Sequence, residues 1–501
     1  MDKAALNILK ASLSILCLSV LTQQTSNAAQ TPCGSPLSTR TEIAWEKGNN
    51  PWDNVPKDSH RIEISRGWKI PNAHTWIILG GMVKIDGIHD MTVPSGDPGE
   101  WPTLAVKSSI SNRMNHNTRF TARQSNFDIG TVSETKIGDV KSYLAADFSA
   151  NNYFGDYSNR HNISVNSIGL RLREAFVEVN GFLFGQTTTT FSDKESDGYT
   201  LVHNGVTGNN QLRQSMIRYT WYNPFTQTEK KSNRIMLSLE SPITDYTQYN
   251  GTRAPGGGTN GTIALPDGTT TPLLQAIPLE NDTRVAPLSR GVSPLPDLVG
   301  QIRFEKKGVG HIAIRGVARY LTIRPDTVTT VKKFGWGGGI SARFFFTNYN
   351  SVFFNYNAGN GIGRYIYDLP NSSLVYNAIT KASSLQFAQG LIAGIEHYWT
   401  DHIRSNVIVG LSQVNNAKFL KDLARSRSNI PADRTSTDQI GQYKHDVAFV
   451  NHRMQHVTVN LIYKPTKAIE TGIEYNHVRR TTITGQNGVG KRFQVSCIYR
   501  F

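Results

Sequence analysis

The chain of 501 residues has only three cysteines, Cys17, Cys33 and Cys497. So few thiols, so far apart, exclude a disulfide-stapled scaffold, and leave either one Cys33–Cys497 bridge or two free thiols. Long apolar runs are also scarce. Beyond the N-terminal stretch none approaches the ~20 apolar residues that a membrane-crossing helix needs. Enzyme signatures are missing: there is no HExxH, no Walker phosphate loop and no G-x-S-x-G elbow. The histidines lack a compact metal-ligand pattern, so no catalysis, metal or cofactor is expected. Acidic residues are outnumbered, 38 Asp and Glu against 53 Lys and Arg, for a formal charge of +15. The cations are interspersed with aromatic and aliphatic groups and form no basic domain, so no nucleic-acid partner is expected.

What is present begins with a leader. Lys3 and Lys10 flank an apolar run over residues 11–21, and Ser26, Asn27 and Ala28 supply small residues at a cleavage site. Residues 1–28 read as a secretory signal peptide. Residues 29–74 are mixed and polar, with Trp45, Pro51 and Trp52 but no heptad, and read as a periplasmic or pore-inserted extension. From residue 75 to 501 the pattern has a period of two.

The clearest case is the C-terminus. In FQVSCIYRF, Phe493, Val495, Cys497, Tyr499 and Phe501 fall on one face, and Arg492, Gln494, Ser496 and Arg500 on the other, with Ile498 the exception. One lipid face and one watery face fit the last strand of a transmembrane β-barrel, and the aromatic ending of Tyr499 and Phe501 fits a terminal assembly signal. The segment TWIILGGMVKIDGIHD repeats the pattern: Gly81, Val83, Ile85 and Gly87 point outward, while Met82, Lys84 and Asp86 point inward. Further strands are expected at 121–132, 140–149, 168–179, 181–187, 211–222, 233–240, 297–306, 308–323, 334–345, 387–399, 403–413, 446–464 and 466–479. Closure leaves no unpaired backbone facing hydrocarbon, and bacterial barrels are even-numbered, so about sixteen strands fit best. The fold class is therefore all-β: a transmembrane antiparallel β-barrel with long extracellular loops, placed at 242–295, 350–384 and 422–441. Girdle aromatics are expected at Trp76, Tyr320, Trp399, Tyr463 and Tyr499.

The same alternation nominates channel-lining residues. With Leu170, Leu172 and Phe176 outward, Arg171 and Arg173 face the lumen, where a guanidinium fork suits a carboxylate. This phase also puts Glu174 and Glu178 outward, which is tolerable only at a subunit interface. Arg303, Glu305, His311, Arg315 and Arg319 form a second inward series, and Lys84 and Arg123 are further candidates. Two readings stand: a basic stripe that guides anions, or an internally neutralised wall network. The run Gln186, Thr187, Thr188, Thr189, Thr190 to Asp193 reads as a hydroxyl-lined constriction folded into the lumen.

Several blocks in order carry a resemblance: FTARQS from Phe120, GDVKSYLAADF from Gly138, LRLREAFVE from Leu170, LFGQTTTTFSD from Leu183, PDLV from Pro296 and GWGGG from Gly335. Together they resemble the DcaP-like porin family of Gram-negative outer membranes. The resemblance implies a homotrimer of 16-stranded barrels, each with its own narrowed channel, inserted among outer-membrane lipids by the barrel assembly machinery and passing small anionic solutes such as dicarboxylates. Members with an N-terminal coiled coil differ from this chain, whose residues 31–70 lack a heptad. The alternative reading is a surface adhesin or structural barrel that binds through 242–295.

Overall fold

The computed structural model describes residues 68–501, apart from 107–114, 151–168, 223–232, 251–261, 265–269, 277–290, 422–449 and a few shorter loop stretches. The signal-peptide reading, the polar extension as far as residue 67, Cys33 and the loop at 422–441 lie outside the described residues.

Sixteen antiparallel strands close into a barrel. In chain order they are β1 (Thr75–Asp90), β2 (Asn126–Thr135), β3 (Gly138–Ala150), β4 (Gly169–Val179), β5 (Phe182–Thr188) and β6 (Arg213–Tyr222). They continue with β7 (Arg234–Glu240), β8 (Asp297–Lys306), β9 (Gly310–Ile323), β10 (Val331–Phe345) and β11 (Ser351–Asn360). The last are β12 (Phe387–Tyr398), β13 (Ile403–Asn415), β14 (Asn451–Tyr463), β15 (Ile469–Thr482) and β16 (Asn487–Arg500). Each pairs with its sequence neighbours, and β1 closes the ring on β16 from Met82↔Arg500 to Asp90↔Arg492. The lower half of β1 pairs with β2, while its upper half pairs with the separate segment Asn117–Thr121.

Closure satisfies every strand edge, which is what a backbone in hydrocarbon requires. Across the belt of the wall the outward residues are mainly apolar, as with Val83, Ile85, Val457, Val459 and Leu461, while their neighbours Lys84, Asp86, Thr458 and Asn460 are buried inside. Ile498 is buried on the inner face while Tyr499 and Phe501 stay exposed, so the exception in the C-terminal pattern is real. Trp399, Tyr463 and Tyr499 are exposed near the short-turn end. The ends differ as they do in outer-membrane barrels, where short turns face the periplasm and long connections face outside.

Two expectations need correction. Residues 351–360, read as loop, form the wall strand β11. Val352 and Tyr356 are exposed outward, and Ser351, Asn355 and Asn357 are buried inward. Its inner face carries asparagine and glycine instead of charge, which hid the alternation. Glu174 does not face outward either. The β3–β4 register shifts between Ala145 and Ala146, pairing Ala145 with Glu174 and Ala146 with Leu172. A bulge inserts one extra residue, Arg173, and reverses the parity beyond it. Val177 then takes the exposed outer position, and Phe176 packs against Tyr143 with ring centroids 5.6 Å apart.

Candidate functional site

The connection between β5 and β6, residues 189–212, folds into the barrel and crosses it. Three of its first four residues are fixed at once: Thr189 Oγ1 and the Thr190 backbone N–H donate to Glu240 at 2.6 and 2.8 Å, and the Asn210 amide donates to the Phe191 carbonyl. Asp193 then meets the far wall. It accepts from Ser341 Oγ at 2.6 Å, from Ser196 Oγ and His311 Nε2 at 2.9 Å, and from Arg303 Nη1 at 3.2 Å. Burial alone would raise this carboxyl, yet His311, Arg303 and Arg315 hold it well below the usual carboxylate range. Glu195 takes a second Arg303 nitrogen at 2.5 Å, and its carbonyl accepts from Arg343.

The loop continues around the wall. The Tyr199 hydroxyl donates to Glu470, and the Leu201 and Val202 backbone N–H groups donate to Glu474 at 2.6 and 3.1 Å. The Leu201 carbonyl accepts from Lys84 Nζ at 2.6 Å and from Gln494 at 3.1 Å. Burial, reinforced by Arg173 and Arg171, pushes His203 well below its usual value, so Arg171 Nη2 donates to its neutral ring at 2.6 Å. Gly208 has φ +90°, and a Cβ there would lie 2.4 Å from the Leu411 carbonyl oxygen. Only glycine lets this backbone press against β12 and β13.

Two other connections close over it. Residues 361–373 bury Ile362, Tyr365, Ile366 and Leu369, and residues 91–106 bury Val93, Trp101 and Leu104. With Phe191 and Val202 of the crossing loop and the wall residues Val299, Val317, Val414 and Met454, they form one apolar core inside the barrel. The Tyr365 hydroxyl donates to Asp297 at 2.9 Å, and the Arg319 guanidinium lies 5.3 Å from its ring centroid. The Gly208 N–H donates to Asp368 at 2.7 Å, and burial raises the Asp368 carboxyl to about 7. Asp197, which accepts from Asn355 at 2.6 Å, is raised by burial to about 6.

The structure therefore sorts the residues read from the sequence. Arg303, Glu305, His311, Arg315 and Arg319 are all inside, where Arg303, His311 and Arg315 hold the crossing loop, Glu305 backs Arg303, and Arg319 ties other connections to the wall. Arg303 bonds Asp193, Glu195 and Glu305, Arg319 bonds Asp297 and Asp245, and Arg315 is held by the Phe191 carbonyl and the Asn355 amide oxygen. Lys84 is equally buried, 2.5 Å from Gln124 and 3.4 Å from Asp86. Arg123 sits half-buried in the irregular stretch before β2. Thr187, Thr189, Thr190 and Asp193 are buried on the inside, whereas Gln186 and Thr188 fall on the outward parity of the exposed Phe182 and Phe184.

Arg171 stands apart from the buried series, with the buried Arg173 beside it. They share Asp147 with His203 but belong to a group that water reaches: the side chains of Arg171, Lys194, Arg213 and Glu174 are 35, 39, 21 and 20 % exposed. Lys194 and Arg213 lie 3.6 and 3.9 Å from Glu174. Sequence reading missed Lys194, Arg213, Asp147, Glu470 and Glu474. Glu470 and Glu474 had a signal in their even parity with Asn476 and Arg480 on β15; Lys194 had none, because its place depends on where a loop lands. Among the described residues no group of three His, Cys, Asp or Glu side chains converges to hold a metal.

A closed antiparallel barrel with an apolar exterior, a polar inner wall and a connection folded across its lumen is the architecture of an outer-membrane porin. The family model described as Porin subfamily matches residues 68–493, and the chain belongs to that family. It is a channel-forming protein of the Gram-negative outer membrane, in a family and fold known for channels and not for enzymes. Among solved structures, the outer membrane channel DcaP of Acinetobacter baumannii is similar at a TM-score of 0.62 with 17% identity, covering 87% of this chain and 99% of that one. The DcaP-like fold expected from the sequence is thus borne out. An anion-selective porin from Comamonas acidovorans is similar at 0.43 with 8% identity, covering 85% of this chain and 100% of that one. Salmonella typhi OmpF in complex with daunomycin reaches 0.44 with 12% identity, covering 87% and 100%. No curated protein matches.

Proposed function

We propose that this porin passes small hydrophilic anions, dicarboxylates among them, along the β3–β6 side of the lumen. The observation that carries the reading is the water-exposed group of Arg171, Lys194 and Arg213, with Arg173 beside them and Asp147 and Glu174 as the carboxylates within ion-pair distance. Four cations against three carboxyls, Asp147, Glu174 and the inward Asp128 of β2, leave a net positive field where solutes and water can go. The β8–β16 side is filled by apolar loop residues and closed ion pairs. A field shared among several partly neutralised groups favours anions without holding any one tightly, as throughput requires.

The homotrimer fits an asymmetry of the outer surface. At the outer edge of β1–β4 the exterior stays apolar, with Phe120 70 % exposed and Phe148 and Leu170 also open. A patch of this kind at the level where headgroups begin favours contact with further copies of the chain over contact with lipid. The remaining wall faces outer-membrane lipid, and Tyr499 and Phe501 are the terminal signal offered to the barrel assembly machinery.

Planar-bilayer recording of the purified protein in a salt gradient tests the reading. Discrete conductance with a reversal potential set by anions supports it. Conductance with cation preference overturns the anion assignment, and no conductance from folded protein favours the adhesive or structural barrel.

A further inference from the structure

The outward face of β14–β16 ends in cations. Measured up from the periplasmic aromatic end, the spans from Tyr463 to Arg453 on β14, Ile469 to Arg479 on β15 and Tyr499 to Lys491 on β16 each cover the ~9–11 residues that cross the hydrocarbon belt. The three cations therefore stand at the outer-leaflet boundary. They share the parity of Val457, Ile473 and Val495, which face lipid, and Arg453 and Arg479 are exposed. The register pairs Arg479 with Gln455 and Lys491 with His477, so Arg453, Arg479 and Lys491 are diagonal neighbours on adjacent strands, about 7–8 Å apart. Among the described residues no carboxylate pairs with any of them.

Beside this row, above the ends of β11–β13, lies a pocket of about 410 Å³ lined by Asn360, Ser384, Asn415, Asn416, Lys418 and Lys421. Its floor includes Phe387, which is exposed on the lipid face. Lys421 reaches Asn415 Oδ1 at 2.8 Å, while Asn416 is only 3 % exposed and its Oδ1 has no hydrogen-bond partner. A buried amide oxygen without a donor is costly unless a ligand hydroxyl supplies one.

We propose that this rim is a binding site for the phosphorylated saccharide headgroup of an outer-leaflet lipid. Arg453, Arg479 and Lys491 neutralise phosphate, the amide-rich pocket with Lys418 and Lys421 takes the sugar, and the acyl chains lie along the apolar belt below. The ligand class follows from three chemistries in one place: cations without a carboxylate partner, amides that accept from hydroxyls, and an exposed apolar wall.

The test is native mass spectrometry of the folded full-length protein in mild detergent with diphosphoryl lipid A, monophosphoryl lipid A, phosphatidylglycerol or inorganic phosphate. The expected result is retention of diphosphoryl lipid A above monophosphoryl lipid A and above phosphatidylglycerol. The combined variant R453Q/R479Q/K491Q should weaken it on the order of a hundredfold, since each surface cation is worth roughly fivefold. The variant K418Q/K421Q should weaken it separately, with conductance unchanged in both because no altered residue faces the lumen. Equal retention by wild type and both variants would overturn the site. Equal retention of phosphatidylglycerol would overturn the saccharide, and displacement of the lipid by millimolar inorganic phosphate would show a free-anion site instead.

Discussion

Arg171 forks onto Asp147, with Nε at 2.9 Å and Nη2 at 2.6 Å from its two carboxylate oxygens. Asp147 is fully buried and also receives Arg173 at 3.2 Å, so one carboxylate orders two arginines on a strand pair that carries a bulge within its length. The bulge puts Arg173 and Glu174 on the same side.

Opposite substitutions in this group should move selectivity in opposite directions. R213Q, or R171Q together with R173Q, should lower anion preference, and E174Q should raise it, each by a modest shift because several charges share the field. Reversal potentials in a salt gradient read the sign. If all of them leave the potential unchanged, these residues do not line the path.

Asp193 is the far anchor of the crossing loop, and D193N leaves Arg303 with Glu195 and Glu305 and His311 with Glu195 alone. Removing one partner of an isolated buried pair costs about 3–5 kcal/mol, and the remaining carboxylates offset part of that here. The loop should detach from β9 and β10, giving larger or noisier single-channel openings. A quiet channel of wild-type size would show that the remaining ties suffice.

The pH response follows from Asp368 and Asp197, whose carboxyls are raised to about 7 and about 6. A carboxyl raised in the folded state contributes stability that is full below its ordinary value near pH 4 and is lost as pH rises through the folded value. The clamp between residues 361–373 and the crossing loop should therefore be firmer at pH 5 than at pH 8, with fewer openings at pH 5. D368N, which keeps the protonated shape, should flatten most of that dependence; an unaltered pH profile in D368N would discount the clamp.

Gly208 tolerates no side chain. G208A combines a left-handed backbone, costing about 1–2 kcal/mol for an L-residue, with a contact 2.4 Å from the Leu411 oxygen. The expected outcome is a lower temperature for loss of the folded, fast-migrating barrel on gels. Gly205, with φ +69° but only distant neighbours near 4 Å, is the control for the contact and should cost less as alanine.

The barrel was legible because its wall obeys a local rule. Val83, Lys84, Ile85 and Asp86 announce their faces two by two, and the C-terminal strand did so even at Ile498. Where locality fails, so did the reading. A single inserted residue, Arg173, changed the side on which Glu174 lies, and nothing in LRLREAFVE marks that insertion. The inward arginines were found, and Glu305 and Asp193 with them, but Asp193 was not matched to Arg303, and Glu195, Asp245 and Asp297 were not found at all. Asp193, Glu195 and Asp245 reach Arg303 and Arg319 from connections whose path depends on the whole lumen.

The crossing loop has a mechanical consequence. A ring of strands joined only edge to edge resists stretching but is soft toward being squashed, because each neighbouring pair can pivot slightly. Residues 189–212 are fixed to Arg303 and Ser341 on one side and to Lys84, Glu474 and Gln494 on another, so they act as a spoke across a wheel. The diameter of this ring is then set by a loop as well as by strand number, and lateral pressure in a crowded membrane is carried through the lumen and not around its rim.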